Sequence, residues 1–317
     1  MATNYTSTDS ASLGGTAGSA GLVQKAYDKF IEFALRDEPL IRAVADKRPV
    51  STTNNGNVVV LQRYADLANA TTALTESTDI DGVTIGTPTS VTITMQEFGN
   101  ATTNTRALQL FSLNSVDPDI VTLMARNQAD SIDALAMTAL RGGTNVIYSG
   151  STATTTATVT AAATLSTANI AKAVAKLRTN KASGKRGNEF WAGIHPDVAH
   201  DLMLESSAAG WVVPNAYGIS QDRIWAGEVG RYKGAYFVES PRLYVATDGA
   251  SSAKVYRTIL CGQQALAEAV AEEPHTVIGP VTDKLNRFRP IGWYGVLGFA
   301  RFREEALYRI ESGSSIA

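Results

Sequence analysis

A chain of 317 residues is about twice the usual domain length, so it can bury one large core or two modest ones. Its formal net charge of -2 and its pI near 6.0 produce no overall field that would gather nucleic acid or an anionic membrane. Charged residues make up only 18% of the chain, which lowers the desolvation cost of packing surface against surface. The composition favours a subunit with many neighbours, and the alternative is a Thr-rich secreted or cell-surface protein.

Cysteine content and hydropathy exclude two further classes of protein. The single cysteine, Cys261, cannot form an internal disulfide, which excludes a disulfide-built secreted scaffold. The first 21 residues lack the basic start and the apolar run of a signal peptide, and no apolar stretch reaches the roughly 18 residues of a transmembrane helix. We therefore expect a protein that is made and kept in a reducing cytoplasm unless lysis releases it.

The first hundred residues predict an arm, a helix and a hairpin. Residues 2–21 are almost all Ala, Ser, Thr, Gly and Asn, too polar to order themselves, so we expect neighbouring subunits to hold this tail. Apolar residues at helical spacing predict an amphipathic helix over 22–36. Alternating segments at 57–64 and 90–105 predict the two arms of a long β-hairpin, and the apolar-poor stretch 66–89 predicts a loop projecting from the body.

A long helix is predicted next. Asp117 and Pro118 provide an N-cap and a first-turn proline, and Gly142 and Gly143 provide a stop. The helix over 118–141 would be about 36 Å long, enough to form the spine of a domain. Residues 151–163 contain only Ser, Thr, Ala and Val, which predicts a loop or an exposed strand at a boundary.

An α/β region occupies the rest of the chain. Helices are predicted at 167–181 and 195–205, with a strand at 189–194 between them. The sequence then predicts strands at 231–240 and 254–262, a helix at 263–270, a strand at 275–279, and two terminal strands at 292–303 and 306–311.

Candidate chemical motifs are weak throughout. His195 and His200 lie beside Asp197 and Asp201, which suggests a metal site, but the spacing does not put two ligands on one helix face. His275 is remote in sequence, and a His-Pro-Asp helix start explains the pattern better.

Four shorter patterns also favour structural explanations. The segment 182–186 contains Gly-Lys but lacks the rest of a phosphate loop, and 251–254 has the Ser-x-x-Lys spacing in a Gly/Ser turn. Residues 79–82 resemble only the start of a calcium loop, and Cys261 has no nearby His in sequence and is interpreted as a buried hydrophobe. We assign no catalytic, cofactor-binding or metal-binding residue, expect no cofactor, and expect that the chain is not an enzyme.

One cluster of basic residues remains unexplained by these motifs. Six basic residues and no acidic residue occur between positions 172 and 186, and they could contact DNA phosphates or an acidic patch on a neighbour. Because the total charge is negative, the acidic neighbour is the preferred interpretation. The six are Lys172, Lys176, Arg178, Lys181, Lys185 and Arg186.

Three segments carry a resemblance to a known family. "HPDVAHDLM" at 195–203, "GEVGRYKGAYFVESPR" at 227–242 and "IGWYGVLGFARFREEALYRIES" at 291–312 resemble blocks of the major capsid proteins of tailed bacteriophages. The likeness is to the coliphage N-four-like branch of the Hong Kong 97 fold. It covers most of the chain, most strongly from about residue 188 onward and weakly over residues 1–50. It implies an α+β fold and a non-enzymatic structural protein that self-assembles.

The resemblance implies five regions. They are an N-terminal arm and helix at 1–49, an extended hairpin loop over an adjacent subunit at 50–110, a peripheral domain with the spine helix at 111–164, an axial α/β domain at 165–270, and return strands of the peripheral domain at 271–317. Both terminal strands would join the sheet near the base of the hairpin, where glycines allow close packing.

The resemblance also implies partners and a location. The chain would form pentamers and hexamers of an icosahedral head around double-stranded DNA, which it would contact weakly and without sequence specificity. A separate scaffolding protein, a portal and a decoration protein would be further partners, with no membrane. Assembly would take place in the host bacterial cytoplasm, and the product would be the capsid of the virion. Two alternatives remain open, namely an encapsulin-like nanocompartment shell subunit and a Thr-rich phage adhesin or tail protein.

Overall fold

The computed structural model describes residues 40–48, 56–77, 79–80, 82–111, 116–205, 228–280, 283, 285 and 287–316. These residues form an α+β fold, as predicted, with strands arranged in sheets of two, four and seven. The predicted tail at 2–21 and the predicted helix at 22–36 lie outside the described residues. No helix within the described part of the chain is long and apolar enough to cross a membrane.

The two-stranded sheet is the predicted hairpin. Strand β2 (Val58–Arg63) pairs antiparallel with β3 (Thr89–Thr94), and Val58 lies opposite Thr94 in the register. Exposure alternates along β2, whose residues 58, 60 and 62 are exposed while 59, 61 and 63 are partly buried, as expected for a strand that buries one face. The long connection between the two strands matches the predicted projecting loop.

The four-stranded sheet has the order β1–β11–β12–β4. Its strands are β1 (Asp46–Arg48), β11 (Leu266–Ile278), β12 (Phe288–Arg301) and β4 (Gln96–Thr105). Strand β1 is parallel to β11 and the other pairs are antiparallel. Because β4 begins two residues after β3 ends, the hairpin is joined directly to this sheet.

The predicted spine helix is confirmed and packs against the four-stranded sheet. A short helix α1 (Arg106–Phe111) precedes the long helix α2 (Val116–Arg141). Ile132, Ala136 and Leu140 are buried at helical spacing, so the apolar stripe of α2 forms part of the core. This stripe shares one hydrophobic cluster with Ile259 and Leu307 of the larger sheet, which joins the two sheets through the helix.

The seven-stranded sheet has the order β5–β13–β10–β6–β8–β7, and β9 pairs with β10 outside this path. Helices α3 (Thr167–Thr179) and α4 (Pro196–Met203) pack on it and confirm two predicted helices. The strands are β5 (Val146–Tyr148), β6 (Phe190–Ile194), β7 (Glu228–Tyr232), β8 (Ala235–Glu239), β9 (Val245–Ala246), β10 (Val255–Cys261) and β13 (Leu307–Ser312). Single 3-10 turns occur at Arg42–Val44, Thr156–Thr158, Ala250–Ser252 and Glu304–Ala306.

Two sequence predictions are wrong. The segment 263–270 was predicted as a helix because it is rich in Ala, Gln and Glu, yet from Leu266 it belongs to β11. Burial between strands overrides its helix propensity, since residues 266–269 are all buried. The last terminal strand, β13, does not lie near the base of the hairpin, because it pairs with β10 and β5 in the seven-stranded sheet.

Candidate functional site

The first histidine of the His/Asp pattern that suggested a metal site in the sequence caps a helix. His195 is the N-cap of α4, and its Nδ1 accepts a hydrogen bond from the backbone N–H of Asp197 at 3.2 Å. Burial lowers the pKa of His195 below its ordinary value, partly opposed by the Asp197 carboxylate. A neutral ring is what this cap requires, because a protonated Nδ1 has no lone pair to accept with.

The neighbouring carboxylates also have structural partners. Asp197 Oδ2 accepts the Tyr256 hydroxyl at 2.6 Å, and Asp201 accepts the backbone N–H of Ser315 at 2.8 Å and its hydroxyl. Burial acts to raise the pKa of Asp201, but the hydrogen bonds from Ser315 and its neighbours lower it overall. Among the described residues, no group of His, Cys, Asp or Glu is arranged to hold a metal ion.

The remaining motif candidates are explained by packing. Cys261 is fully buried, and burial raises the pKa of its thiol to about 12, so it stays protonated at neutral pH. Lys185 of the Gly-Lys segment donates to the backbone carbonyl of Val44 at 2.8 Å and to Asp46 at 2.6 Å. Ser251 lies in a strained turn with φ of 54°. None of these side chains is arranged with the others for a reaction.

The base of the hairpin is seated on the four-stranded sheet. Ile93 and Met95 are buried against Ala267 and Ala269 of β11. Gly298 of β12 allows the closest approach, because a Cβ there would lie 2.5 Å from the carbonyl oxygen of Thr94. The absence of a side chain at this position sets how near the hairpin comes to the sheet.

Ion pairs hold the other side of the hairpin. Arg63 at the end of β2 makes a bidentate contact with Glu305, at 2.7 Å and 3.3 Å. The hydrogen bonds with Arg63 lower the pKa of Glu305 against the opposing effect of burial. Three residues after Arg63, Asp66 Oδ2 lies 3.5 Å from Lys181 Nζ. These contacts fix the direction in which the hairpin leaves the body of the subunit.

Beyond its base, the described part of the hairpin loop buries no side chain. Every described residue from 64 to 87 is exposed, although the loop contains six large apolar side chains. Their exposed fractions run from 57% to 73%, far from the burial that such residues normally find. They are Tyr64, Leu67, Leu74, Ile80, Val83 and Ile85.

A shallow apolar recess of about 480 Å³ lies on the four-stranded sheet. Strands β4, β11 and β12 line the recess, and several of the lining residues are glycine or alanine, whose small size leaves a depression in the sheet surface. Concave apolar surfaces of this kind are suited to contact with another chain. The lining includes Gly99, Ala101, Val277, Pro290, Gly292 and Tyr294.

The start of the described chain is fixed to the spine helix. Asp133 of α2 is buried, and its Oδ1 accepts the backbone N–H groups of Ile41 at 2.7 Å and Arg42 at 2.9 Å. Burial raises the pKa of Asp133 above its ordinary value, and the two hydrogen bonds only partly oppose this. Arg42 also pairs with the buried Glu268 at 2.7 Å. These contacts fix residues 41 and 42 to the body of the subunit.

Comparison with known proteins identifies the family. Residues 121–314 match the family model described as phage capsid protein. The chain belongs to this family. A phage capsid protein is a structural protein, and this chain is a major capsid protein that forms the shell of a phage head. The expectation drawn from the terminal aromatic segments is thereby confirmed at the level of the family.

Solved structures agree with this phage capsid fold. The capsid of Ralstonia phage GP4 has a TM-score of 0.72 at 15% identity, covering 92% of this chain and 95% of that chain. The cyanophage Pam1 capsid has a TM-score of 0.72 at 14% identity, covering 93% and 97%. The capsid of Helicobacter pylori bacteriophage KHP30 has a TM-score of 0.69 at 13% identity, covering 92% and 96%. A search of curated proteins gave no match.

The sequence indicated the hairpin of this capsid protein but not the contacts at its base. Arg63 and Glu305 are separated by 242 positions, and no local pattern links two residues so far apart. Gly298 was recognised only as one of several close-packing glycines in the terminal strands. The projecting loop was predicted from the low apolar content of the stretch 66–89, but its exposed large apolar side chains were not.

Proposed function

We propose that copies of this capsid protein associate as pentamers and hexamers into an icosahedral shell around double-stranded DNA. In this shell the hairpin loop of each copy lies over an adjacent subunit. The observation that carries the proposal is the exposure of the whole loop from 64 to 87 while its base is tightly seated. A segment that leaves its own subunit in a fixed direction and buries nothing there is suited to a neighbour.

The energetics support this arrangement. Full burial of one large apolar side chain contributes about 1.5–3 kcal/mol, and the loop has six such side chains that the isolated subunit leaves in water. In a closed shell each subunit also contacts several neighbours at once, so modest individual contacts combine through effective concentration. Stability of the lattice then requires no single strong interface.

We infer a peripheral domain and an axial domain from the two larger sheets. The peripheral domain would be the four-stranded sheet with helix α2, and the axial domain would be the seven-stranded sheet that meets its copies around the five-fold and six-fold axes. The boundaries at 165–270 and 271–317 are adjusted, since β11 starts at Leu266 in the first sheet and β13 lies in the second. The N-terminal arm and helix at 1–49 would extend from the point fixed by Asp133.

The finer assignment concerns partners and branch. We propose that a separate scaffolding protein directs assembly in the host bacterial cytoplasm, that the shell contains a portal and takes a decoration protein, and that DNA is contacted weakly. The three sequence segments named above support the coliphage N-four-like branch. The structural use of His195, Asp197 and Asp201 supports a protein that catalyses no reaction.

The test is assembly with and without the loop tip. Full-length protein expressed with its scaffolding partner should give closed particles in negative-stain micrographs. Deletion of residues 68–86 should leave the thermal melting of the subunit nearly unchanged and should abolish closed particles. Normal particles from the deletion protein would contradict an intersubunit role for the loop. Small uniform shells beside a cargo enzyme would favour the nanocompartment, and a stable trimer would favour the adhesin.

A further inference from the structure

Helix α3 and the segment after it present a concentrated positive charge to solvent. Five of the six clustered basic side chains are exposed, and we call four of these five the basic face. Lys172 and Lys176 are one helical turn apart, so they lie on the same side of α3. The other two basic residues of the cluster are not part of this face, because Lys185 is bound to Asp46 and Arg186 lies beyond it. The basic face consists of Lys172, Lys176, Arg178 and Lys181.

The charges of the basic face are almost unused within the subunit. Only Lys181 makes an ion pair with a described residue, and that contact to Asp66 is 3.5 Å long between side chains that are 81% and 85% exposed. Neither Lys172 nor Lys176 takes part in an ion pair within the described ranges. Exposed lysines at this spacing repel one another weakly, so the face gains from any acidic partner.

The hairpin loop has the complementary composition. We call residues 65–87 the acidic loop, because they contain four acidic residues and no Lys or Arg. Asp66 at the start of the loop is the residue that contacts Lys181, so the loop leaves the subunit beside the basic face of its own chain. Glu76 and Asp79 lie further along, and both are exposed. The four acidic residues are Asp66, Glu76, Asp79 and Asp81.

We propose that the acidic loop of one subunit binds the basic face of a neighbouring subunit. The inference rests on the proposed assembly into a shell and names the surface that receives the loop. Within one subunit no ion pair of the described residues joins Glu76 or Asp79 to the basic face, and the loop there is exposed. In a lattice each subunit contributes one acidic loop and one basic face, so every loop can pair with one face.

A second copy fits this surface better than DNA does. A phosphate backbone would occupy the basic face and leave the exposed carboxylates of Glu76 and Asp79 in water in every subunit. The net charge of -2 also gives no overall attraction to a polyanion. Complementary charges between copies, by contrast, would fix which surfaces meet and would speed their encounter. The apolar side chains of the loop could then be covered by the same contact.

The experiment uses reversed charges on each side. Lys172→Glu with Lys176→Glu gives a face variant, and Glu76→Lys with Asp79→Lys gives a loop variant. Each variant alone should reduce the yield of closed particles by about tenfold in low salt, because like charges then meet at every contact. A mixture of the two should restore part of the yield, since a loop finds a face of opposite charge wherever the two kinds of subunit are neighbours. The subunit melting temperature should stay unchanged.

Controls and contrary outcomes separate this inference from the proposed function. Lys254→Glu makes the same charge change on an exposed lysine outside the basic face and should assemble normally. A milder face variant, Lys172→Gln with Lys176→Gln, replaces the first if charge reversal impairs folding, and it should lower the yield less. A face variant that assembles like the wild type would overturn the inference while the shell stands. Wild-type protein that forms no particles would overturn the proposed function on which it rests.

Two further outcomes would also overturn it. Rescue in a variant that carries all four substitutions in one chain, with no recovery in the mixture, would mean that the loop lies on its own subunit. Full assembly of the face variant with loss of bound double-stranded DNA, unaffected by the loop variant, would assign the face to nucleic acid. Assembly should also be measured at about 0.5 M salt, where screening within a few ångströms should reduce the difference between the variants and the wild type.

Discussion

The carbonyl oxygen of Thr94 at the end of the hairpin lies directly over Gly298 of β12. A Cβ at position 298 would come within 2.5 Å of that oxygen and within 3.1 Å of Ile93. Contacts this short are not tolerated, so any side chain at 298 must move the hairpin or the strand. The direction of the hairpin arm therefore depends on the absence of a Cβ atom at position 298.

Gly298→Ala should destabilise the subunit and misdirect the arm. Forcing an extra methyl group into a packed contact costs about 1–3 kcal/mol, measured as a loss in the free energy of unfolding. The matched control for subunit stability is Gly86→Ala, because a Cβ at Gly86 meets nothing within 4 Å. Urea denaturation of both variants and particle counts of Gly298→Ala against the wild type would test this. Equal stability of the two variants, with wild-type assembly of Gly298→Ala, would contradict the role of Gly298.

Trp293→Ala should yield insoluble or unassembled subunits. The side chain is 4% exposed, and its Nε1–H donates to Asn127 of the spine helix at 2.9 Å. Truncation of a buried aromatic costs about 3–5 kcal/mol out of a domain stability of about 5–15 kcal/mol. Trp293→Phe keeps most of the packing and should lose only about 1 kcal/mol for the hydrogen bond. A soluble, fully assembling Trp293→Ala protein would contradict this.

The ion pair between Arg63 and Glu305 should matter for assembly more than for folding. The two side chains are 36% and 45% exposed, so the pair should contribute at most about 1 kcal/mol to subunit stability. Arg63→Glu should nevertheless reduce particle yield severalfold, because the base of the arm loses its orientation. The double exchange Arg63→Glu with Glu305→Arg should recover it. If the double exchange assembles no better than Arg63→Glu alone, the pair does not position the arm.

Acid should destabilise the subunit partly through His195. Burial holds its pKa in the folded protein below the ordinary value of 6.5, so the unfolded chain binds the proton more readily. The contribution of the neutral cap is complete above about pH 6.5 and is lost as the pH falls toward the lowered value. His195→Asn keeps a capping oxygen for the N–H of Asp197 without a titrating ring.

The measurement is the free energy of unfolding between about pH 7 and pH 5. The wild type should lose stability more steeply than His195→Asn over this range. Asp197 and Lys254, whose charges also affect the pKa of His195, are present in both proteins. Parallel curves would show that the pKa of His195 is the same in the folded and unfolded chains, and would contradict this prediction. At neutral pH both His195→Asn and Ser251→Ala should assemble nearly normally, because neither residue is assigned any chemistry.

Local signals determined which elements the sequence could predict. The spine helix and the hairpin were predictable, since caps, glycines and periodicity act within a few residues. The helix predicted at 263–270 was wrong because this segment is a buried strand of the four-stranded sheet, where Glu268 lies opposite Phe299 of β12 and pairs with Arg42, 226 positions away. The position of β13 could not be predicted either, because its partner strands β10 and β5 lie far from it in the chain. The cluster of basic residues could be recognised in the sequence. The close contact between Thr94 of the hairpin and Gly298 could not.

The placement of β13 between β5 and β10 has a consequence for synthesis in the host. This strand follows every other described strand in the chain, yet the larger sheet cannot close without it. Until residues 307–312 leave the ribosome, the edges of β5 and β10 that pair with β13 have no partner strand. A chain with such distant pairings folds slowly and only after it is nearly complete. Half-made subunits would therefore be kept out of growing shells, since the surface around α3 forms only when translation has passed the last strand.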